Sequence, residues 1–234
     1  MAPDSRGDPR RWRVCPGFLA GACPSRHNGG MVALHSPADG LAEIAAVAAR
    51  LVVEDGLEYA AAKRQAGRQL GVSPRGPWPD NAQLDAAVRE HIAVFCADTQ
   101  PVQLQALREL ALHWMDRLAE FQPHVGGAVW HGTATQHSDI YLQLFCDDPK
   151  SLEWRLMDLR IDYQPGSVTG WKGELVDVLT VRVRSQELGP VLIHLMAHDR
   201  DDVRGALKPD TQGRKPRGDA RALRALMAPP GESA

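Results

Sequence analysis

Aromatic residues are scarce: Phe, Trp and Tyr together make up 6% of the 234 residues. Cysteine is scarcer still. The four thiols, Cys15, Cys23, Cys96 and Cys146, lack the even spacing of a disulfide-stapled small domain. Cys96 and Cys146 sit in apolar text that predicts packing, so a reduced, cytoplasmic protein is expected. No sign of charge dominates. The 27 Lys and Arg against 29 Asp and Glu leave a formal net charge of −2, which removes the electrostatic case for general nucleic-acid or membrane affinity. No apolar run approaches the roughly 20 residues of a spanning helix. The opening segment, with its basic residues and a short apolar patch, is too broken for a secretory leader. Gly-Lys-Ser and Gly-Lys-Thr are absent, which excludes a phosphate loop of that type. G-x-S-x-G and G-x-G-x-x-G are absent too.

What is present is a chain rich in alanine and aliphatic residues, long enough to bury a sizeable core. Residues 1–30 are rich in Arg, Pro and Gly and show no periodicity, which predicts a disordered tail. Compact structure is expected from Met31, so Met1 and Met31 both stand as starts. Cys15, Cys23 and His27 in the tail offer three zinc ligands without a fourth, and are read as plain tail.

Residues 31–122 read as helices. Ser36-Pro37 opens the first, and Leu41, Ile44, Ala45, Ala48 and Val52 recur at helical spacing until Asp55-Gly56 breaks it. LEYAAAKRQAGRQLGV follows, with Lys63, Arg64 and Arg68 on a solvated face. SPRGPWPDN is a loop because its prolines cannot continue a helix. Asp80 or Asn81 caps the next helix, with Leu84, Val88, Ile92 and Phe95 as its stripe. Thr99 and Pro101 open a fourth, with Leu104, Leu107, Leu110, Leu112, Trp114, Met115 and Leu118 on its buried side.

Residues 123–200 change period. VGGAVWHGT reads as strand and glycine turn. SDIYLQLFC alternates, with Ile140, Leu142 and Leu144 on one face and Tyr141, Gln143 and Phe145 on the other. Asp147-Asp148-Pro149 starts the helix PKSLEWRLMDLR, and IDYQPGSVTGWKG reads as loop or hairpin end. ELVDVLTVRVR and GPVLIHLMAHD are strands joined by a hairpin over Ser185–Gly189. Residues 201–234 give a charged loop, the short helix DARALRALM and a tail. The expected fold class is therefore α+β: an N-terminal helical part, then a small mixed or antiparallel sheet with helices on one side.

One stretch carries chemistry. An open turn lets backbone N–H groups approach a triphosphate, and carboxylates on the next strand hold divalent metal. Gly126, Gly127, Gly132 and Thr133 supply such a turn, and Asp139 opens the strand behind it. Gly132-Thr133 followed by Ser138-Asp139-Ile140-Tyr141-Leu142 resembles the polymerase β-like nucleotidyltransferases, whose signature is a G-S turn and then a strand with S-D-x-D. The resemblance covers about residues 105–200. It implies a nucleotidyltransferase-like sheet and Mg²⁺-dependent transfer of a nucleoside monophosphate from an NTP. In that reading Gly127, Gly132 and Thr133 bind the nucleotide, Ser138 donates a hydrogen bond, and Asp139 holds metal with Asp177 or Asp199. Tyr141 stands where the second family carboxylate belongs. Two readings follow: a rebuilt catalytic site, or a degenerate domain that binds a nucleotide or a protein partner.

Three weaker patterns remain. GAVWHGTAT, SDIYLQLFCDDPKS and RGALKPD are similar to small proteobacterial proteins often labelled UDP-N-acetylmuramate–alanine ligase. The missing phosphate loop and the short chain argue against that activity. Arg108 and His113 form the R-x4-H seen in some helical RNases, and are equally ordinary surface residues. His194 and His198 share a strand face beside Asp199, Asp201 and Asp202, as a metal site or a strand end entering an acidic loop.

Overall fold

A computed structural model describes residues 37–73, 76–170, 172–210 and 213–228, without the side chains of 37 and 38. The tail expected over residues 1–30, with Cys15, Cys23 and His27, and the opening at Met31 and Ser36 lie outside the described residues.

Four helices come first: α1 (Pro37–Asp55), α2 (Tyr59–Gln69), α3 (Asn81–Phe95) and α4 (Gln100–Arg117). The alanine content explains how the first three approach so closely. Ala48, Ala49, Ala62 and Ala66 are buried between Leu51, Leu84 and Val88 in one apolar cluster. Gly67 continues the theme, since a Cβ there would stand 2.3 Å from the Trp78 ring. Asp80 caps α3 by accepting from the Gln83 N–H at 2.7 Å. The Gln83 side chain accepts in return from the Asp80 N–H at 2.9 Å. Phe95 does not join the expected stripe; at the last position of α3 it is 71% exposed. Helix α4 faces a second cluster instead, through Leu107, Ala111, Trp114 and Met115.

That second cluster lies on a six-stranded mixed sheet. Its strands are β1 (His124–Gly126), β2 (Ile140–Cys146), β3 (Gln164–Thr169), β4 (Leu175–Ser185), β5 (Gly189–Asp199) and β6 (Arg217–Gly218). Their order is β3-β4-β5-β2-β1-β6, with β2 and β5 parallel and the other pairings antiparallel. Alternation sends Ile140, Leu142, Leu144, Ile193 and Leu195 into one core. Helix α4, α6 (Lys150–Asp158) and α8 (Ala220–Met227) supply the other side of that core through Trp114, Leu152, Leu156 and Leu223. Tyr141, Gln143, His194 and Met196 fall on the opposite face and stay partly exposed.

Two segments depart from the sequence reading. GAVWH is the short helix α5 (Gly127–His131), not a strand. Gly127 (φ 64°) turns the chain out of β1, and Gly132 (φ 81°) ends the helical turn in the left-handed region that glycine enters without strain. Of the segment expected as loop or hairpin end, QPGSVT is the strand β3, which pairs antiparallel with β4. All six of its residues are exposed at the sheet edge, so no alternation marks it, and an edge tolerates its proline. After β5 come a 3-10 turn (Arg200–Asp202) and α7 (Val203–Ala206). The described residues fall in one compact unit. Among the described residues, no helix is long and apolar enough to cross a membrane.

Candidate functional site

The loop between α5 and β2 is held from both sides. Arg108 on α4 donates from Nε to the Val129 carbonyl at 3.2 Å. The buried Gln100 donates from Nε2 to the Gly132 and Ala134 carbonyls at 3.1 and 2.9 Å. From the helical part, the Val53 carbonyl accepts from the Thr135 hydroxyl at 3.3 Å, and Arg89 donates to the His131 carbonyl at 2.9 Å. Gly56 (φ 67°) lies against the loop so closely that a Cβ would stand 2.8 Å from the His137 carbonyl oxygen. These contacts leave a cavity of about 530 Å³ between the α1–α2 turn, α3 and the loop.

One wall is built on cross-strand register. Thr180, His194 and Tyr141 are direct partners on β4, β5 and β2, so their side chains share a face. Thr180 Oγ1 lies 3.0 Å from His194 Nδ1, and His194 Nε2 lies 3.2 Å from Asp139 Oδ2. The imidazole also stacks on Tyr141 at 4.8 Å. Tyr141 in turn donates its hydroxyl to Glu58 Oε1 at 2.5 Å. Burial, and then the Glu58 bond, push the Tyr141 phenol well above its ordinary range, so it stays protonated. Ser138 Oγ accepts from the Thr135 N–H at 3.0 Å, which leaves its own proton free to donate.

The facing wall balances its own charge. Arg214 reaches Asp210 at 3.1 Å and Asp85 at 3.4 Å, and Arg89 reaches Asp85 at 3.0 Å. Tyr59 donates to Asp85 at 3.3 Å, and its pKa is pushed up to about 12, by burial first and Asp85 second. Burial holds His131 below its ordinary pKa, which favours the neutral ring. Two carboxylates therefore meet two guanidinium groups. On the first wall, neither Glu58 nor Asp139 has a lysine or arginine partner among the described residues. The uncompensated charge of the cavity thus sits on either side of Tyr141.

Gly127, Thr133, Ser138 and Asp139 all line this cavity. Gly132 lies behind it, its Cβ position 3.7 Å from the Arg108 guanidinium. The structure does not bring Asp177 or Asp199 to Asp139, which corrects the expected metal set. Strand alternation puts Asp139 on the face of Tyr141, whereas Asp199 pairs with Cys146 on the helix-covered parity. Asp199 is also seven residues further along the parallel pair, roughly 23 Å away. Asp177 falls one place beyond the Val178–Met196 pair, again on the helix-covered parity, and is exposed beside its β3 partner Ser167. His198 stacks on Phe145 at 5.7 Å, four residues or roughly 13 Å beyond His194. Arg108 is committed to Val129, and the exposed His113 points roughly 140° away around α4. Cys96 and Cys146 are free thiols, half-buried and buried.

Glu58, Asp85, Asp210 and Arg214 were not singled out from sequence. They come from three separate segments, and no local spacing links them. His194, which the sequence offers as a metal ligand or as part of a strand end entering an acidic loop, partners Asp139.

Among the described residues, no group of three or more His, Cys, Asp or Glu side chains is gathered as a metal shell. Mg²⁺ ordinarily takes one or two carboxylates and completes its shell with water and substrate phosphates. Glu58 and Asp139 are the carboxylates of this cavity that would hold such an ion. The fold and site together define an α+β protein with an acidic cleft at the start of a central strand. No family model, no curated protein and no solved structure matches the chain.

Proposed function

We propose that this cleft binds a nucleotide together with Mg²⁺, as a nucleotidyltransferase-like site kept for binding rather than for transfer. The observation that carries the reading is the pair Glu58 and Asp139, without a lysine or arginine partner among the described residues, beside Tyr141 in a cavity of about 530 Å³. Two carboxylates on either side of one phenol repel an anion brought between them. A bare triphosphate is therefore disfavoured here, and one that carries Mg²⁺ is not. Mg²⁺ supplies charge neutralisation and polarisation of the phosphate oxygens when bound. Asp139 and Glu58 hold it, with Asp139 oriented by His194. Gly127, Thr133 and Ser138 face the phosphates, and Tyr59 with neutral His131 offers uncharged surface to the base. Transfer would call for a further carboxylate from a later strand, and the residue beside Asp139 on the next strand is His194.

Thermal-shift titration tests this. Melting should rise with NTP and Mg²⁺ together and little with either alone, Asp139→Ala should abolish the rise, and no pyrophosphate should be released. A rise that survives Asp139→Ala, or no rise at all, sinks the reading.

A further inference from the structure

Asp139 has a second side. A smaller depression of about 280 Å³ lies beyond it, and His137, Ser138 and Asp139 line both spaces, so this run is a ridge between them. The floor of the depression is Pro190 and Leu192 of β5. Its far rim is Arg182 of β4, directly paired with Leu192 and two residues along from Thr180 on the same face. Arg182 is exposed and makes no hydrogen bond or ion pair with the described residues, unlike Arg214, which two carboxylates occupy. Asp139 is shared by the two spaces, so what distinguishes them is Glu58 on the large side and the Arg182 guanidinium on the small one.

We infer that the small depression is an anion subsite of the same site, in which Arg182 takes a phosphate group on the far side of the ridge. The inference rests on the nucleotide reading of the main cleft. A guanidinium offers a planar, paired set of donors to phosphate oxygens. Asp139 separates it from the larger cavity, so a ligand engaging both spaces has a cationic portion, its Mg²⁺, at the carboxylates and an anionic portion beyond them. The Ser138 hydroxyl lies on the ridge between. The phosphate has two possible sources: the terminal phosphates of the bound nucleotide, or a separate phosphorylated molecule.

Calorimetric titration of wild type, Arg182→Gln and Arg182→Lys separates these. The probes are a Mg²⁺–nucleoside triphosphate, the corresponding Mg²⁺–monophosphate and inorganic pyrophosphate. The melting temperature without ligand should not move, because Arg182 is exposed and unpaired. If the phosphates belong to the nucleotide, Arg182→Gln weakens the triphosphate about three- to tenfold and spares the monophosphate, and Arg182→Lys, a point charge without the paired donors, restores only part of the affinity. If they belong to another molecule, pyrophosphate binds alongside saturating nucleotide and loses that binding in Arg182→Gln. Pyrophosphate binding that depends on Arg182 in a protein that ignores nucleotide leaves the subsite standing and removes the nucleotide reading. Titrations unchanged by Arg182→Gln, or a wild type that binds no probe, overturn the inference.

Discussion

Tyr141→Phe removes one atom from the cleft, the hydroxyl that donates to Glu58 at 2.5 Å, and keeps the ring that stacks on His194. A hydrogen bond to a charged acceptor is worth about 1.5–3 kcal/mol when sheltered. Glu58 is exposed, so water competes for it and about 1 kcal/mol is the reasonable loss. For a compact unit of this size that lowers the melting temperature by about 2–4 °C. The pH dependence has a definite sign. The phenol's pKa is raised in the folded state, so its stabilisation is fully present below about pH 10 and is lost as pH climbs past that value. The deficit of the variant should be constant from neutral pH to about pH 9 and shrink above pH 10. Binding should behave differently. Glu58→Gln removes one of the two uncompensated carboxylates and should weaken Mg²⁺–nucleotide about tenfold, or 1.4 kcal/mol. Tyr141→Phe leaves the Glu58 charge in place and should not weaken it. Differential scanning fluorimetry across pH and titration calorimetry read both effects. If Tyr141→Phe weakens binding as much as Glu58→Gln does, the phenol itself holds the ligand and the argument from uncompensated carboxylates fails.

Two further predictions concern histidines. His198 is 4% exposed, and burial first, then Arg217, lower its pKa from 6.5 to about 4. A depressed value means its stabilising share is present above about pH 6.5 and is lost as pH falls toward 4, by at most about 3 kcal/mol. Urea melts at pH 7, 5.5 and 4.5 should show that decline and His198→Gln should flatten it; an equal slope in both proteins refutes the assignment. His194→Phe keeps a ring against Tyr141 and loses the 3.2 Å contact to Asp139. It should weaken Mg²⁺–nucleotide binding in the wild-type background and add nothing on top of Asp139→Ala, whereas additive losses would show that His194 does not act through Asp139.

Much of the fold was legible because it is local. Apolar residues at helical spacing marked α1, α3 and α4, and Asp80 or Asn81 marked a capped start. Alternation marked β2, β4 and β5, and with them the position of Asp139 at the mouth of a central strand. Strand β3 was silent because an edge strand exposed along its length has no buried face to write into its sequence. Helix α5 was hidden because two glycines that permit a hairpin also permit a helical turn between them.

Sequence by itself determined the faces within each strand: Tyr141 with Asp139, and His194 with His198. It could not relate one strand's face to another's, because that depends on pairing, direction and register. Only the tertiary structure decided that Asp177 and Asp199 share a side of the sheet that Asp139 does not. It also decided that Glu58, Asp85, Asp210 and Arg214 meet across one cavity. Electrostatic compensation acts through space, so which carboxylates keep their charge and which lose it to a guanidinium is settled only where the chain segments converge.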